Sequence, residues 1–452
     1  MSTLTGPFSI TPQATAFTSP YFNRPTVFGL GSGAVRYEFS VDTVSNPRKI
    51  RAFKSTDSGA TWAQQNAAGA PSINNLGGGG GLQFPTSCPT YIQDPTDTTK
   101  IVACYVENVT QHVSFVVFDT STDTWGAPNT GGPVAHGTDT GGADQSNDDT
   151  GAKTCIEYRS SDNKYVILFQ GPPDNTAGQD FSRPWWTTFD RTGLTWSVAV
   201  KVAGGAAEAK HLLADGLVID NTNVSHLVIA SPTNAPGSTP FEIYHVAIDS
   251  ADTVNVRGLI TNQVFVSREP NVGYPKLRSS NQEILIVFKS VFGGPLFGAA
   301  VARAPVGITP AWTIEAVNDA DADGPLNDDF SCPSLAIDDQ GFPHVFWMQN
   351  PNGANVAPGT LLLTSQGGDV GTGWTIPVVL FTTPAPATDS FNRVSVNSMP
   401  GVGIGIVIFF WETALVDDVE YFEFVPAPVQ RFYSFHVYFQ GVKRFKNEEC
   451  PV

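Results

Sequence analysis

The sequence predicts an all-β chain of seven similar units closed into a ring, and three observations carry that expectation. The first is composition: the 452 residues include 43 Gly, 34 Pro and 30 Phe but only 3 Met. That mix is poor in helix formers and rich in turn residues, which favours many short strands. The second is a repeat. A short alternating segment of the form x-Pro-small-apolar, or a close variant of it, recurs as Arg24-Pro25-Thr26-Val27, Cys88-Pro89-Thr90-Tyr91, Lys153-Thr154-Cys155-Ile156, Asp215-Gly216-Leu217-Val218, Tyr274-Pro275-Lys276-Leu277, Cys332-Pro333-Ser334-Leu335 and Arg393-Val394-Ser395-Val396. Measured at the second residue, the intervals are 64, 65, 62, 59, 58 and 61 residues, and a near-constant period of this length means a closed array. The third is a constant order of segments within each unit.

Taken in order, each unit opens with the repeated segment as its inner strand. A very apolar second strand follows (AVRYEFS, KIVACYV, KYVILFQ, SHLVIAS, EILIVFK, PHVFWMQ, GIVIFFWE), then a third (KIRAFKS, HVSFVVFD, WWTTFD, FEIYHVAID, LFGAAVAR, GTLLLTS, VEYFEF). A turn bearing Trp62, Trp125, Trp196, Trp312 or Trp374 often leads into a fourth strand. Four antiparallel strands per unit, seven times over, describe a seven-bladed β-propeller, whose radial packing leaves only short edges exposed. The last unit lacks a fourth strand of its own. TGPFSITPQATAFTSPYFNRPTV, from Thr5, parallels TGWTIPVVLFTTPAPATDSFNRVSV, from Thr372, down to a shared Phe-Asn-Arg. Residues near Phe8 to Gln13 are therefore expected to supply the missing strand and close the ring without a covalent bond. The propeller spans residues 1–425, and residues 426–452 remain as a C-terminal arm.

Charge narrows the partners. A formal net charge of −17 opposes nucleic-acid phosphates and anionic bilayers, both of which need Lys and Arg to replace counterions. No run of about 20 apolar residues is present to span a bilayer, and the start, MSTLTGPFSITPQ, lacks the basic and apolar regions of a signal peptide. Five widely spread cysteines, Cys88, Cys104, Cys155, Cys332 and Cys450, without CxxC spacing, read as buried thiols.

KSTDSGATW, residues 54–62, has Ser55, Asp57, Gly59 and Trp62 at fixed offsets between the third and fourth strands of the first blade. Asp57 is suited to accept bonds from turn amides, Gly59 to a positive φ, and Trp62 to plugging the gap between strands. The stretch resembles the Asp-box, or BNR repeat, of sialidases and related glycan-directed propellers, with degenerate relatives in FDTSTDTW and FDRTGLTW. The resemblance implies an architectural role for the box and places it on the face opposite the substrate. Function is then expected on the other face, built from the loops between second and third strands and those that join one blade to the next.

On that face each inner strand begins with a residue expected to look into the central funnel: Arg24, Cys88, Lys153, Asp215, Tyr274, Cys332 and Arg393. Arg24, Lys153, Asp215, Tyr274 and Arg393 are the candidate glycan-binding set, because Arg holds a carboxylate through two parallel hydrogen bonds. The structural alternative for Arg24 and Arg393 is a salt bridge to neighbouring acidic loops. Asn23-Arg24-Pro25 resembles the Arg-x-Pro stretch that places the first arginine of the sialidase triad, although sialidases have six blades. Tyr274 with Glu269, and Asp42 or Glu38, are available for the tyrosine nucleophile and acid/base roles that the resemblance implies. A seven-bladed polysaccharide lyase would instead draw on His136, His211 or Tyr274 as base and Arg24 to neutralise a uronate. Only one of Trp185 and Trp186, which alternate across a strand, is free to stack on a sugar.

Asp319, Asp321, Asp323 and the glycine after them bring alternate carboxylates toward a hard cation, with Asn327 able to add an oxygen. This candidate calcium loop resembles those of EF-hands but has Phe330 where their closing glutamate stands, and its expected role is to stiffen the face. In the arm, Arg431, Phe432, Tyr433, Phe435 and Tyr438 form an alternating aromatic strand suited to pairing with a sheet edge of another subunit.

Two readings follow. The one favoured at this level is a non-catalytic propeller in a larger assembly, such as a virion or tail appendage or another extracellular surface structure, whose loop face recognises carbohydrate. The alternative is a glycan-cleaving enzyme, either a sialidase-like glycoside hydrolase or a polysaccharide lyase.

Overall fold

The structure, a computed structural model, describes residues 2–10, 17–18, 26–31, 33–42, 47–73, 87–107, 110, 112–135, 152–171, 183–202, 213–231, 241–255, 257–264, 272–292, 296–317, 329–330, 333–350, 361–369, 371–382, 393–410 and 418–427. They form a seven-bladed β-propeller of four-stranded antiparallel blades, with one short 3-10 turn (Ala67–Gly69) as the only helical element among them.

Blade 1 comprises Val27–Gly29, Arg36–Asp42, Lys49–Ser55 and Ala63–Gln65 from the axis outward, and blade 2 comprises Thr90–Gln93, Lys100–Val106, Val113–Asp119 and Thr124–Trp125. Blade 3 is Ala152–Arg159, Lys164–Gly171 and Arg183–Asp190, with its outer strand in two pieces, Thr195–Trp196 and Val200–Lys201. Blade 4 is Leu213–Ile219, Ser225–Ser231, Phe241–Ile248 and Gly258–Val264; blade 5 is Lys276–Arg278, Glu283–Phe292, Leu296–Pro305 and Thr313–Ala316. Blade 6 is Ser334–Ile337, Pro343–Asn350, Leu361–Gln366 and Val378–Thr382.

Blade 7 takes Arg393–Met399, Gly403–Phe410 and Asp418–Val425 from the end of the chain and its outer strand, Thr3–Ser9, from the beginning. Thr3 pairs with Val425 and Ser9 with Glu420. The closing strand therefore starts at Thr3, ahead of the Phe8 that the sequence parallel suggests. In this register Leu4 packs on the core between blades 6 and 7, and Phe8 on the core between blades 7 and 1.

Two-residue periodicity explains the core. Along the second strand of blade 2, Ile101, Ala103 and Tyr105 face blade 1, while Val102, Cys104 and Val106 face blade 3, because successive side chains leave opposite sides of a sheet. Each blade thus feeds two junctions, and seven apolar clusters result, one for every pair of neighbouring blades. Cys104 and Cys155 are fully buried in this core.

The two faces of the ring differ. On the turn face, where first strands lead to second and third to fourth, charged side chains fasten neighbouring blades. Arg36 reaches Glu423 at 2.9 Å between blades 1 and 7, and Lys54 reaches Asp123 at 2.6 Å between blades 1 and 2. Asp94 holds Arg191 at 2.5 Å between blades 2 and 3, Arg159 meets Asp252 at 2.7 Å between blades 3 and 4, and Arg278 meets Asp369 at 2.9 Å between blades 5 and 6. The loop face is built from the longer connections, most of which lie outside the described residues.

Candidate functional site

The turn at residues 54–62 shows what its residue types do. The Ser55 hydroxyl donates to Asp57 (2.7 Å) and accepts from the Gly59 amide (2.8 Å), while Asp57 accepts from the Thr61 amide and hydroxyl at 2.9 and 2.6 Å. Those hydrogen bonds hold the Asp57 carboxyl down to about 2. Ser58 and Gly59 take positive φ angles of 59° and 90°. Trp62 stands edge-on to Tyr421 with centroids 5.2 Å apart, so it bridges blades 1 and 7 instead of two strands of one blade. In FDTSTDTW and FDRTGLTW the equivalent carboxylates, Asp119 and Asp190, accept from the amides of Ser121, and of Thr192 and Gly193.

At the funnel, Arg24 lies outside the described residues, and Lys153, Asp215 and Arg393 are described only as backbone of their inner strands. Tyr274 is 5% exposed and packs with Cys155, Leu217 and Leu227 in the core between blades 3 and 4. Glu269, His136, His211, the calcium candidates Asp319, Asp321, Asp323 and Asn327, and the arm residues Arg431, Phe432, Tyr433, Phe435 and Tyr438 also lie outside the described residues. Of the paired tryptophans, Trp186 is buried, while Trp185 is half-buried and lies over the α-carbon of Gly171.

Asp42 is taken up by Arg51, with both guanidinium contacts on the same carboxylate oxygen at 2.7 and 3.1 Å. Glu38 is fully buried on the blade 1 face turned to blade 7, beside Val27 and Phe53. Its Oε1 accepts from the Ser40 hydroxyl at 2.5 Å, and its Oε2 has no hydrogen-bond partner among the described residues. Burial pushes the Glu38 carboxyl up to about 8, with the Ser40 bond opposing.

On the axis, inner strands from several blades line a cavity of about 330 Å³. Aromatic and ring walls come from Phe28, Tyr91, Tyr274 and Pro275, and amides from Gln93 and Asn397. A carboxylate and an ammonium line it, Glu157 from blade 3 and Lys276 from blade 5, and both are half-buried. Burial pushes Glu157 up to about 7, against the pull of Lys276, and pushes Lys276 down to about 8, against the pull of Glu157. The Lys276 ammonium sits 5.9 Å from the Tyr274 ring centroid. Sequence reading picked out neither Glu157 nor Lys276. Lys276 lies within one copy of the repeated inner-strand segment and Glu157 directly after another, and nothing local marks either as facing a counterpart two blades away.

No protein-family model matches the sequence, and no curated protein matches it. Among solved structures, two of an ulvan lyase of polysaccharide lyase family PL25, one bound to -[GlcA(1-4)Rha3S]-, are each 10% identical to this chain. Each covers 93% of this chain and is itself covered over 95%, with TM-scores of 0.59 and 0.58. A Hadza microbial sialidase, also 10% identical, aligns with 74% of this chain and 64% of its own at a TM-score of 0.45. At such identity the shared property is the propeller fold, and glycan-acting enzymes are among its other bearers.

Proposed function

We propose that this chain is a glycan-cleaving enzyme whose loop face takes a uronate-containing polysaccharide and breaks it by β-elimination. The observation that carries the proposal is the end-to-end fold match with a lyase whose bound ligand contains GlcA, spanning 93% of this chain and 95% of the other. That support favours the enzyme over the non-catalytic assembly component, reversing the order in which the sequence ranks them. KSTDSGATW, read as an Asp-box, agrees with it by assigning the turn face to architecture and leaving the opposite face for substrate.

The chemistry needs three groups. A cation offsets the charge that builds on the uronate carboxylate, a base takes the proton at C5, and a proton reaches O4 as the C4–O4 bond breaks. The products are a reducing end and a C4=C5 unsaturated uronate. Arg24 is assigned to the carboxylate, and His136 or His211 to proton transfer; Tyr274, buried in the core between blades 3 and 4, is not available for it.

The test is incubation of the full chain with a panel of polyuronates and sulfated uronate–rhamnose polysaccharides, followed by ultraviolet absorbance of the unsaturated product. Absorbance is expected to rise with one class of substrate and to be lost in Arg24→Ala at an unchanged melting temperature. Retention of a polysaccharide without any new chain ends would return the protein to the non-catalytic reading.

A further inference from the structure

The axial cavity described above lies away from the loop face. Ile92 and Gln93, Ile219 and Leu277 stand at the ends of their inner strands nearest the first turns, and the exposed Pro400 lies in such a turn. The cavity therefore opens toward the turn face. Its volume of about 330 Å³ is about ten times the share of one water in the liquid, room for a single six-membered ring.

Its lining is not that of a filled propeller axis. An ammonium and a carboxylate line it from blades 3 and 5; they attract each other through space, but among the described residues neither is within hydrogen-bond or ion-pair distance of an oppositely charged group. Two half-buried charges that attract each other but do not touch leave their hydrogen-bonding capacity to a molecule that would fit between them. The rest of the wall is of two kinds. Phe28, Tyr91, Tyr274 and Pro275 border it as apolar residues largely buried in the neighbouring cores, and Gln93, Asn397 and Ser398 offer polar groups. Asn397 and Gln93 each spend an amide N–H on a backbone carbonyl, of Val27 and Thr98 respectively, which leaves their amide oxygens turned to other donors.

We propose that this cavity is a binding site for a monosaccharide-sized sugar acid, with Lys276 holding its carboxylate and Glu157, Gln93 and Asn397 receiving its hydroxyls. The inference concerns the turn-face end of the channel and does not require the chain to cleave a polymer.

Calorimetric titration of the full chain with D-glucuronate, D-glucose and glycine tests it. Glucuronate is expected to bind at one site per chain, and glucose and glycine not to bind. Removing the charge-assisted contact in Lys276→Met is expected to weaken glucuronate at least about tenfold. Gln93→Leu, at the mouth and away from the buried pair, is expected to weaken it about threefold and serves if Lys276→Met fails to fold. Equal binding of glucose, unchanged affinity in both variants, or no binding of glucuronate to the wild-type chain would each overturn the proposal. Glucuronate binding that persists in Arg24→Ala, whatever that variant does to a polysaccharide, separates this site from the proposed catalytic face.

Discussion

Replacing Glu38 by glutamine should change how stability depends on pH, and the size of the change follows from where the side chain sits. In the fold its carboxyl is pushed from the ordinary 4.5 up to about 8. A group whose folded pKa is raised contributes stability that is complete below its unfolded pKa and is lost as pH rises through the folded value. At about 1.36 kcal/mol per unit, the loss reaches about 3 kcal/mol at pH 7 and about 5 kcal/mol above pH 8. For a propeller of this length the entropy of melting is about 1 kcal/mol per degree, so the wild-type melting temperature carries a penalty of about 3 °C at pH 7 and about 5 °C at pH 9. The glutamine side chain keeps an oxygen for the Ser40 hydroxyl but leaves its amide hydrogens without acceptors, a cost of about 1–3 kcal/mol that does not vary with pH. The informative readout is consequently the slope and not the offset. Melting curves near pH 5, 7 and 9 should show the E38Q variant gaining on wild type as pH rises. All other titrating groups are common to both proteins and cancel in the comparison. Parallel curves across that range would refute the reasoning, because they would mean that Glu38 ionises in the fold as readily as in the unfolded chain.

Three further outcomes are expected. Gly59→Ala should destabilise the ring by roughly 2–3 kcal/mol in denaturant titration, since Gly59 has φ +90° and a Cβ there would lie 2.2 Å from the Tyr421 ring; no loss would mean that blades 1 and 7 separate without cost. Asp338→Asn should cost about 1–3 kcal/mol at neutral pH, with the difference from wild type vanishing in strong acid. Burial alone would raise the Asp338 carboxyl, but the bonds from His344 and from the Phe342 and Gln340 amides outweigh it and hold the group below 3.8. Its stabilisation is thus present above the unfolded value and lost as pH falls through the lower folded one, and a pH-independent difference would contradict this. Deleting residues 1–10 should expose the Asp418–Val425 edge and lower the melting temperature with visible self-association in light scattering; an unchanged monomer would show that the closing strand is dispensable.

Much of the architecture was legible because each blade repeats the same order of segments around a nearly continuous apolar second strand, and such a run is what a sheet packed on both sides demands. The start of the closing strand was less so. Gly6, at φ +115°, lies where the pairing shifts between Thr5 and Phe8 and puts no apolar side chain at the inward position between Leu4 and Phe8, so the strand is not marked in the sequence from Thr3 onward. The turns carry a second repeat: Asp220 and His226 in VIDNTNVSH, and Asp338 and His344 in AIDDQGFPH, have the same spacing, and in both cases the carboxylate caps its turn and binds the imidazole, at 3.1 and 2.9 Å. Glu157 and Lys276 had no comparable signal. Their meaning depends on two inner strands more than a hundred residues apart meeting across an axis that no local pattern encodes.

The pairing that closes the ring has a mechanical corollary. Thr3 lies opposite Val425 and the partners run antiparallel to Ser9 and Glu420, so both ends of the propeller leave from the same end of one ribbon. Tension between them would strip that ribbon rung by rung, starting at Thr3, where a pull on opposite ends would have loaded every rung together. A tether at either terminus therefore makes the first wedge to part company the one assembled from the beginning and the end of the polypeptide, while the other six keep their continuous chain.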